Sequence, residues 1–139
     1  MSKEVSHIFH SEGTSFMDFA SWRYRYAIPK RELDKMGFHL RCETAPKKDA
    51  INVFHKHFVE NAAEWIKDGG IFDVCDDYFK KKHGSHYKDM CKKATLVTCP
   101  TSKMAERILE ETGVLAFIIP DPFDDIDFEE CEPIYQDTK

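Results

Sequence analysis

Two adjacent carboxylates, Asp76 and Asp77, follow the run Phe72-Asp73-Val74-Cys75. At the end of a buried strand such a pair can bind a divalent cation or act as a base. The same side chains can instead cap the next helix or pair with Lys80–Lys82. They are the candidates for catalysis. Upstream, Trp22-Arg23-Tyr24-Arg25-Tyr26 sets two arginines among three aromatics. Guanidinium groups give bidentate bonds and aromatic rings give stacking, a combination suited to an anionic or sugar ligand. At helical spacing, however, Phe19, Trp22 and Tyr26 also read as a core stripe with Arg23 and Arg25 in solvent. The segment Ser11–Ser15 precedes a helical pattern. Gly13, Thr14 and Ser15 there can offer backbone N–H groups to a phosphate or carboxylate. Neither GxGxxG nor GxxxxGK[ST] is present, so an ordinary strand-to-helix turn is the competing reading.

His55-Lys56-His57 and His83-x-x-His86 invite a metal reading. Alternation along a strand puts His55 and His57 on one side, but no cysteine or carboxylate at ligand spacing completes a set, and no metal site is expected. The basic residues Lys80–His83, Lys88, Lys92 and Lys93 read as a solvated face. No nucleic-acid module accompanies them, so nucleic acid is not an expected partner.

These residues need elements to hold them. The stretch Ala94–Pro122 reads as strand, turn, amphipathic helix and second strand. Leu96–Cys99 is a short apolar run, Thr101 or Ser102 can cap the helix, Met104, Ala105, Ile108 and Leu109 share one face, and Gly113 suits a helix end. Further strands are expected at Val5–His10, Leu40–Glu43, Ala50–His55 and Ile71–Cys75. Helices are expected at Phe16–Met36, where Pro29 kinks the helix or begins a second one, at Val59–Lys67, and around Tyr87–Ala94. The order β-α-β-β-α-β-α-β-α-β predicts an α/β domain, a Rossmann-like, mostly parallel sheet with helices on both faces. Ligands of such sheets bind outside the carboxyl ends of the strands. That rule adds Lys56, His57 and Thr101 to Gly13, Thr14, Ser15, Arg23 and Arg25 as ligand-binding candidates.

The chain has 139 residues, 42% of them hydrophobic, which suits one globular domain. No apolar run approaches the roughly 20 residues needed to span a bilayer. Charges near the N-terminus stand where a signal peptide needs an apolar core, so a cytoplasmic protein is expected. The five cysteines, Cys42, Cys75, Cys91, Cys99 and Cys131, are odd in number and form no CxxC pair. Net charge is −5, yet Asp121–Lys139 alone carries eight acids and one base. This tail also holds Phe123, Ile126, Phe128, Ile134 and Tyr135. Residues 1–122 are therefore expected to form the domain, and 123–139 an acidic tail with apolar anchors. The anchors point to a protein partner or a homo-oligomer, against the alternative of a solvated tail.

Three segments together resemble the N-terminal, acceptor-side half of GT-B fold glycosyltransferases: SWRYRYAIPKRELDKMG, INVFHKHFVENAAEWIKDGGIFDVCDDYF and ATLVTCPTSKMAERILEETGVLAFIIPDP. The resemblance spans about Val5 to Pro122. It implies transfer of a sugar from a nucleotide-sugar to an acceptor in a cleft between two Rossmann-like domains. Gly13 matches the family's glycine-bearing loop, without its paired glycines, and Asp76 and Asp77 lie at a strand end that faces the cleft. The donor-binding C-terminal domain has no counterpart here. The resemblance thus implies a truncated or noncatalytic relative that acts as a binding or assembly module, with a sugar or glycan acceptor as its ligand and no cofactor held by this chain alone. The alternative is half of a split glycosyltransferase completed by a partner chain.

Overall fold

The computed structural model describes residues 3–9, 22–55 and 61–122. Strand β1 (Lys3–Phe9) is followed by a π-helical turn (Arg23–Ala27) that runs into α1 (Ile28–Lys35). Then come β2 (Phe38–Glu43), β3 (Ile51–His55), α2 (Ala62–Ile66), β4 (Ile71–Asp73), α3 (Gly84–Lys93), β5 (Leu96–Cys99), α4 (Ser102–Thr112) and β6 (Phe117–Ile118). The strands form one six-stranded sheet in the order β2-β1-β3-β4-β5-β6, and every neighbouring pair is parallel. This is the α/β, Rossmann-like architecture that the alternation of elements implies. No described helix is long and apolar enough to cross a membrane.

Local chemistry sets the element ends. Thr101 caps α4: its Oγ1 accepts from the Met104 N–H at 3.1 Å. Gly113 closes the same helix in the left-handed region (φ 75°), where a side chain would be strained. Pro29 lies in the first turn of α1, where its missing N–H costs no helical bond. The helical stretch expected over Phe16–Met36, interrupted at Pro29, is in its described part a π-turn and an α-helix in series. Strand β4 stops at Asp73, two residues short of expectation, because the chain peels away after Val74 N–H bonds Thr98 O at 2.8 Å.

Alternation and register divide the side chains between two faces. Ile8, Phe54, Phe72, Val97 and Cys99 point to one face. They pack with Ala62, Ala63 and Ile66 of α2, Tyr87, Met90 and Cys91 of α3, and Ile108 of α4 to form the main core. Tyr87 sits at its centre, its ring edge-on to Phe72 at 5.1 Å and to Phe79 at 6.1 Å. The opposite face carries Val5, Leu40 and Cys42, which pack with Trp22, Tyr26 and Leu33 under the π-turn and α1. Helices that step one way along the sheet thus lie on one face, and the helix that steps the other way lies on the other, as a constant crossover hand requires.

Residues 44–50 lead from β2 to β3 past β1 without a helix. The return is short because Glu43 stands level with Ile8 while Ile51 stands level with Val5. Asn52 fastens this segment: its Oδ1 accepts from Lys47 N–H at 2.8 Å and its Nδ2 donates to Lys47 O at 2.9 Å. Over β3–β6 the second face has no helix among the described residues, and Phe117 is 63% exposed there.

Gly84 begins α3 against the preceding turn, where a Cβ would meet Phe79 O at 1.9 Å. The backbone there must move to admit any side chain. Gly84→Ala is expected to lower stability by about 1–3 kcal/mol. A urea midpoint equal to that of the parent protein would contradict this packing.

Candidate functional site

The sheet places one polar residue near the carboxyl end of each of its central strands, all on the second face. They are His7 of β1, His55 of β3, Asp73 of β4 and Thr98 of β5. The register aligns them: His7 pairs with Val53, two residues before His55, while His55 pairs with Asp73 and Asp73 with Thr98. All four are buried. The strand order reverses direction between β1 and β3, and the crevice at that point is where open α/β sheets bind ligands.

Asp73 is the hub. Thr98 Oγ1 donates to its Oδ1 at 2.6 Å, and His55 Nδ1 lies 3.1 Å from its Oδ2. The other nitrogen of His55, Nε2, lies 2.7 Å from His7 Nδ1. The two imidazoles are within 9° of parallel. A carboxylate only accepts, so the network assigns a proton to His55 Nδ1, and in the neutral imidazole Nε2 is a lone pair. His7 Nδ1–H then donates to His55, which leaves His7 Nε2 as a lone pair at the far end of the relay.

Arg25 reaches this cluster from the π-turn. Its Nε lies 3.3 Å from Asp73 and 3.0 Å from Asp121. Both are at ion-pair distance, although neither contact is aligned as a hydrogen bond. Nη1 donates to Ile119 O at 2.6 Å, across 94 residues of chain. Nη2 is buried and has no acceptor. The guanidinium is thus enclosed (Arg25 is 8% exposed) with hydrogen-bonding capacity to spare.

These surroundings shift the ionisable groups. Burial, and next the neighbouring His55, lower the His7 pKa from 6.5 to about 3. For Asp73 burial acts to raise the pKa, but His55, Arg25 and Thr98 together outweigh it and hold the carboxyl well below its usual range. Burial, and then Asp73 close by, push the Cys75 thiol up. Cys75 is therefore a thiol, 3.2 Å from Asp73 Oδ2, and a poor nucleophile. His55, Asp73 and Cys75 bring three donor atoms within 4.8 Å of one another. A cation there would have to displace the guanidinium from Asp73 and a proton from Cys75, so the donor set suits a relay better than a metal.

The polar row closes one end of a groove of about 510 Å³. Val53, Ile71 and Leu96 form its floor, Tyr24, Ile28 and Leu33 one wall, and Ile119, Pro120 and Pro122 the other.

Of the residues singled out in the sequence, Arg25 and His55 are brought into this site. Arg23 lies in the same turn, but its side chain is outside the described residues, as are Gly13, Thr14, Ser15, Lys56 and His57. Thr101 is exposed and spends its hydroxyl on the α4 cap. Asp77 accepts from Phe79 N–H at 3.2 Å and from Arg107 Nε at 3.0 Å, a local turn and an ion pair in place of the helix cap or Lys80–Lys82 pairing that was the alternative to catalysis. Asp76 is half-buried beside it. The pair lies just beyond β4, close in sequence to Asp73 but outside the relay. His7, Asp73 and Thr98 were not singled out. Their signal was present: a polar residue near the carboxyl end of each mostly apolar strand, repeated in SHIF, INVFH, IFD and LVTC. No family model, curated protein or solved structure matches this chain.

Acid should loosen this site. An unfolded imidazole takes its proton near 6.5, whereas the folded His7 resists protonation until about pH 3. Between those values the unfolded chain binds more protons, so stability falls as pH drops, by on the order of a few kcal/mol in total. Asp73 adds a further loss below its ordinary 3.8. Urea midpoints should decline from pH 7 to 4.5, and His7→Asn should flatten that decline. A pH-independent midpoint would contradict the buried relay.

Proposed function

We propose that this chain is a small-molecule-binding α/β domain whose ligand is amphipathic. The apolar body of the ligand rests on Val53, Ile71 and Leu96, and its anionic group meets Arg25. The observation that carries this reading is the guanidinium itself. It is buried, one nitrogen has no acceptor, and Asp121, one of its two carboxylate neighbours, has a side chain 45% exposed. A ligand anion can take the place of Asp121, while Asp73 keeps the guanidinium oriented.

This reading agrees with the glycosyltransferase-like binding module expected from the sequence, with one refinement. The groove is mostly apolar, and hydroxyls buried there without partners are costly. An acceptor with an apolar aglycone suits it better than a bare sugar or glycan. The split-enzyme alternative needs cationic donors around a leaving nucleotide diphosphate. Arg25 is the one buried Lys or Arg among the described residues, and it is committed to Asp73. We therefore adopt the binding role. The free thiols of Cys42, Cys75, Cys91 and Cys99 accord with a reducing, cytoplasmic setting.

The test pairs 2-naphthoate with its uncharged analogue 2-naphthalenemethanol. Calorimetric titration should show the carboxylate preferred by about tenfold or more, the range of a charge-assisted hydrogen bond. Asp121→Asn should tighten the carboxylate several-fold and leave the alcohol unchanged. Equal affinities for both probes in both proteins would end the reading.

A second reading is favoured by the end of the sheet. Leu115, Phe117, Ile118 and Ile119 are all about half exposed or more, around an edge strand of two residues. Exposed apolar edges pair. We infer that a second copy of the chain associates through this end, helped by the apolar residues of 123–139. Solution mass should report a dimer that Phe117→Lys disperses and removal of 123–139 weakens. A monomer at every concentration, with and without the tail, would remove this idea.

A further inference from the structure

We propose that His7 is a proton acceptor for the groove's ligand, so that the site binds an acidic hydroxyl compound and ionises it. The inference rests on the groove being a ligand site, and it adds a chemistry to that reading. Nδ1 of His7 is engaged with His55, and His7 lines the groove. No hydrogen bond to its Nε2 is made by any described residue, and the His7 ring borders the groove. A nitrogen lone pair and a guanidinium with spare capacity therefore border one apolar space. That is the pair of groups needed to take a proton and to hold the oxyanion left behind.

The proton balance closes within the site. The ligand O–H bond breaks and its electron pair stays on oxygen, against Arg25. The proton bonds to His7 Nε2. His7 passes its Nδ1 proton along the 2.7 Å contact to His55 Nε2. His7 is then neutral again in its other tautomer. The positive charge rests on His55, whose Nδ1–H still faces Asp73 at 3.1 Å. Burial alone would forbid an imidazolium here, and in the empty groove His7 stays neutral until about pH 3. Two anions offset the new charge, the Asp73 carboxylate and the ligand oxyanion.

Among the described residues, the other polar groups near the relay are these. Within the sheet Thr98 and Cys75 donate to Asp73. From the π-turn come Arg25, Tyr24 and Tyr26, and burial raises the Tyr26 phenol above its usual range. Glu32 of α1 stands at the groove wall, where Lys35 and Arg31 pair with it. Asp121, from the segment after β6, is held by Arg25.

The probe is 4-nitrophenol, with 4-nitroanisole as the analogue that lacks the acidic proton. Titrations run one unit below the free phenol's own pKa, followed by phenolate absorbance and by calorimetry in two buffers of different ionisation enthalpy. The bound phenol should be ionised, with its apparent pKa lowered by at least about one unit, a tenfold preference for phenolate. Its binding heat should not depend on the buffer, because the proton stays on the protein. His7→Asn keeps an N–H for His55 but lacks the accepting nitrogen. In that variant 4-nitroanisole should bind as before, while 4-nitrophenol binds unionised or releases its proton to the buffer. Wild-type protein that binds the phenol unionised, or releases a full proton on binding it, overturns the inference and leaves the groove reading intact. If neither probe binds, both fall.

Discussion

A carboxylate with 3% of its surface exposed, in the middle of a parallel sheet, must be neutralised or it destroys the fold. Asp73 is held by hydrogen bonds from Thr98 on one side strand and the Cys75 thiol at its own strand's exit, by His55 on the other side strand, and by the charge of Arg25 in the π-turn. Loss of one partner from such a buried pair typically costs about 3–5 kcal/mol, because the remaining charge is stranded. The π-turn cannot shift without withdrawing Arg25. The segment after β6 is tied to the same guanidinium through Ile119 O and Asp121. One charge thus locks both walls of the groove to its floor.

The two faces of the sheet have divided labour. One is closed by α2, α3 and α4 over an apolar core, with aromatic packing around Tyr87. The other is covered by the π-turn and α1 over its β2–β1 half. Among the described residues that cover stops at β1, and the groove lies beyond it. Val53, Ile71 and Leu96 form the floor of this groove, and the polar row at its end lies beside Arg25 and Tyr26.

Much of this was legible from residue order. The apolar runs at 51–55, 71–74 and 96–99, each followed by a helical pattern, dictate parallel strands. The cap at Thr101 and the left-handed Gly113 mark the ends of α4 because a hydroxyl acceptor and a residue without Cβ are what those positions need. Arg25 stood out for its chemistry, whereas its burial was not legible. Polar residues after strand ends, such as Asp77 and Thr101, drew attention because they flank apolar runs, yet local turns and caps absorb them. The residues that carry the relay are inside the strands, where a lone His or Asp looks like an exception to a pattern rather than part of one.

The amino-acid sequence by itself determined the class of fold, since periodicity and capping act over a few residues and need no partner. It also determined that a sheet of this kind would gather polar groups at its carboxyl ends. Only the tertiary structure decided which ones meet. His7, Arg25, His55, Asp73 and Thr98 are spread over some ninety residues, and their contacts follow from strand order and register. A slip of one residue in any pair would turn a relay member to the other face. The side on which each helix crosses also had to be settled in three dimensions, because it decides which face stays open. A buried charge is stable only in one such arrangement, so register, helix placement and Asp73 are fixed together or not at all.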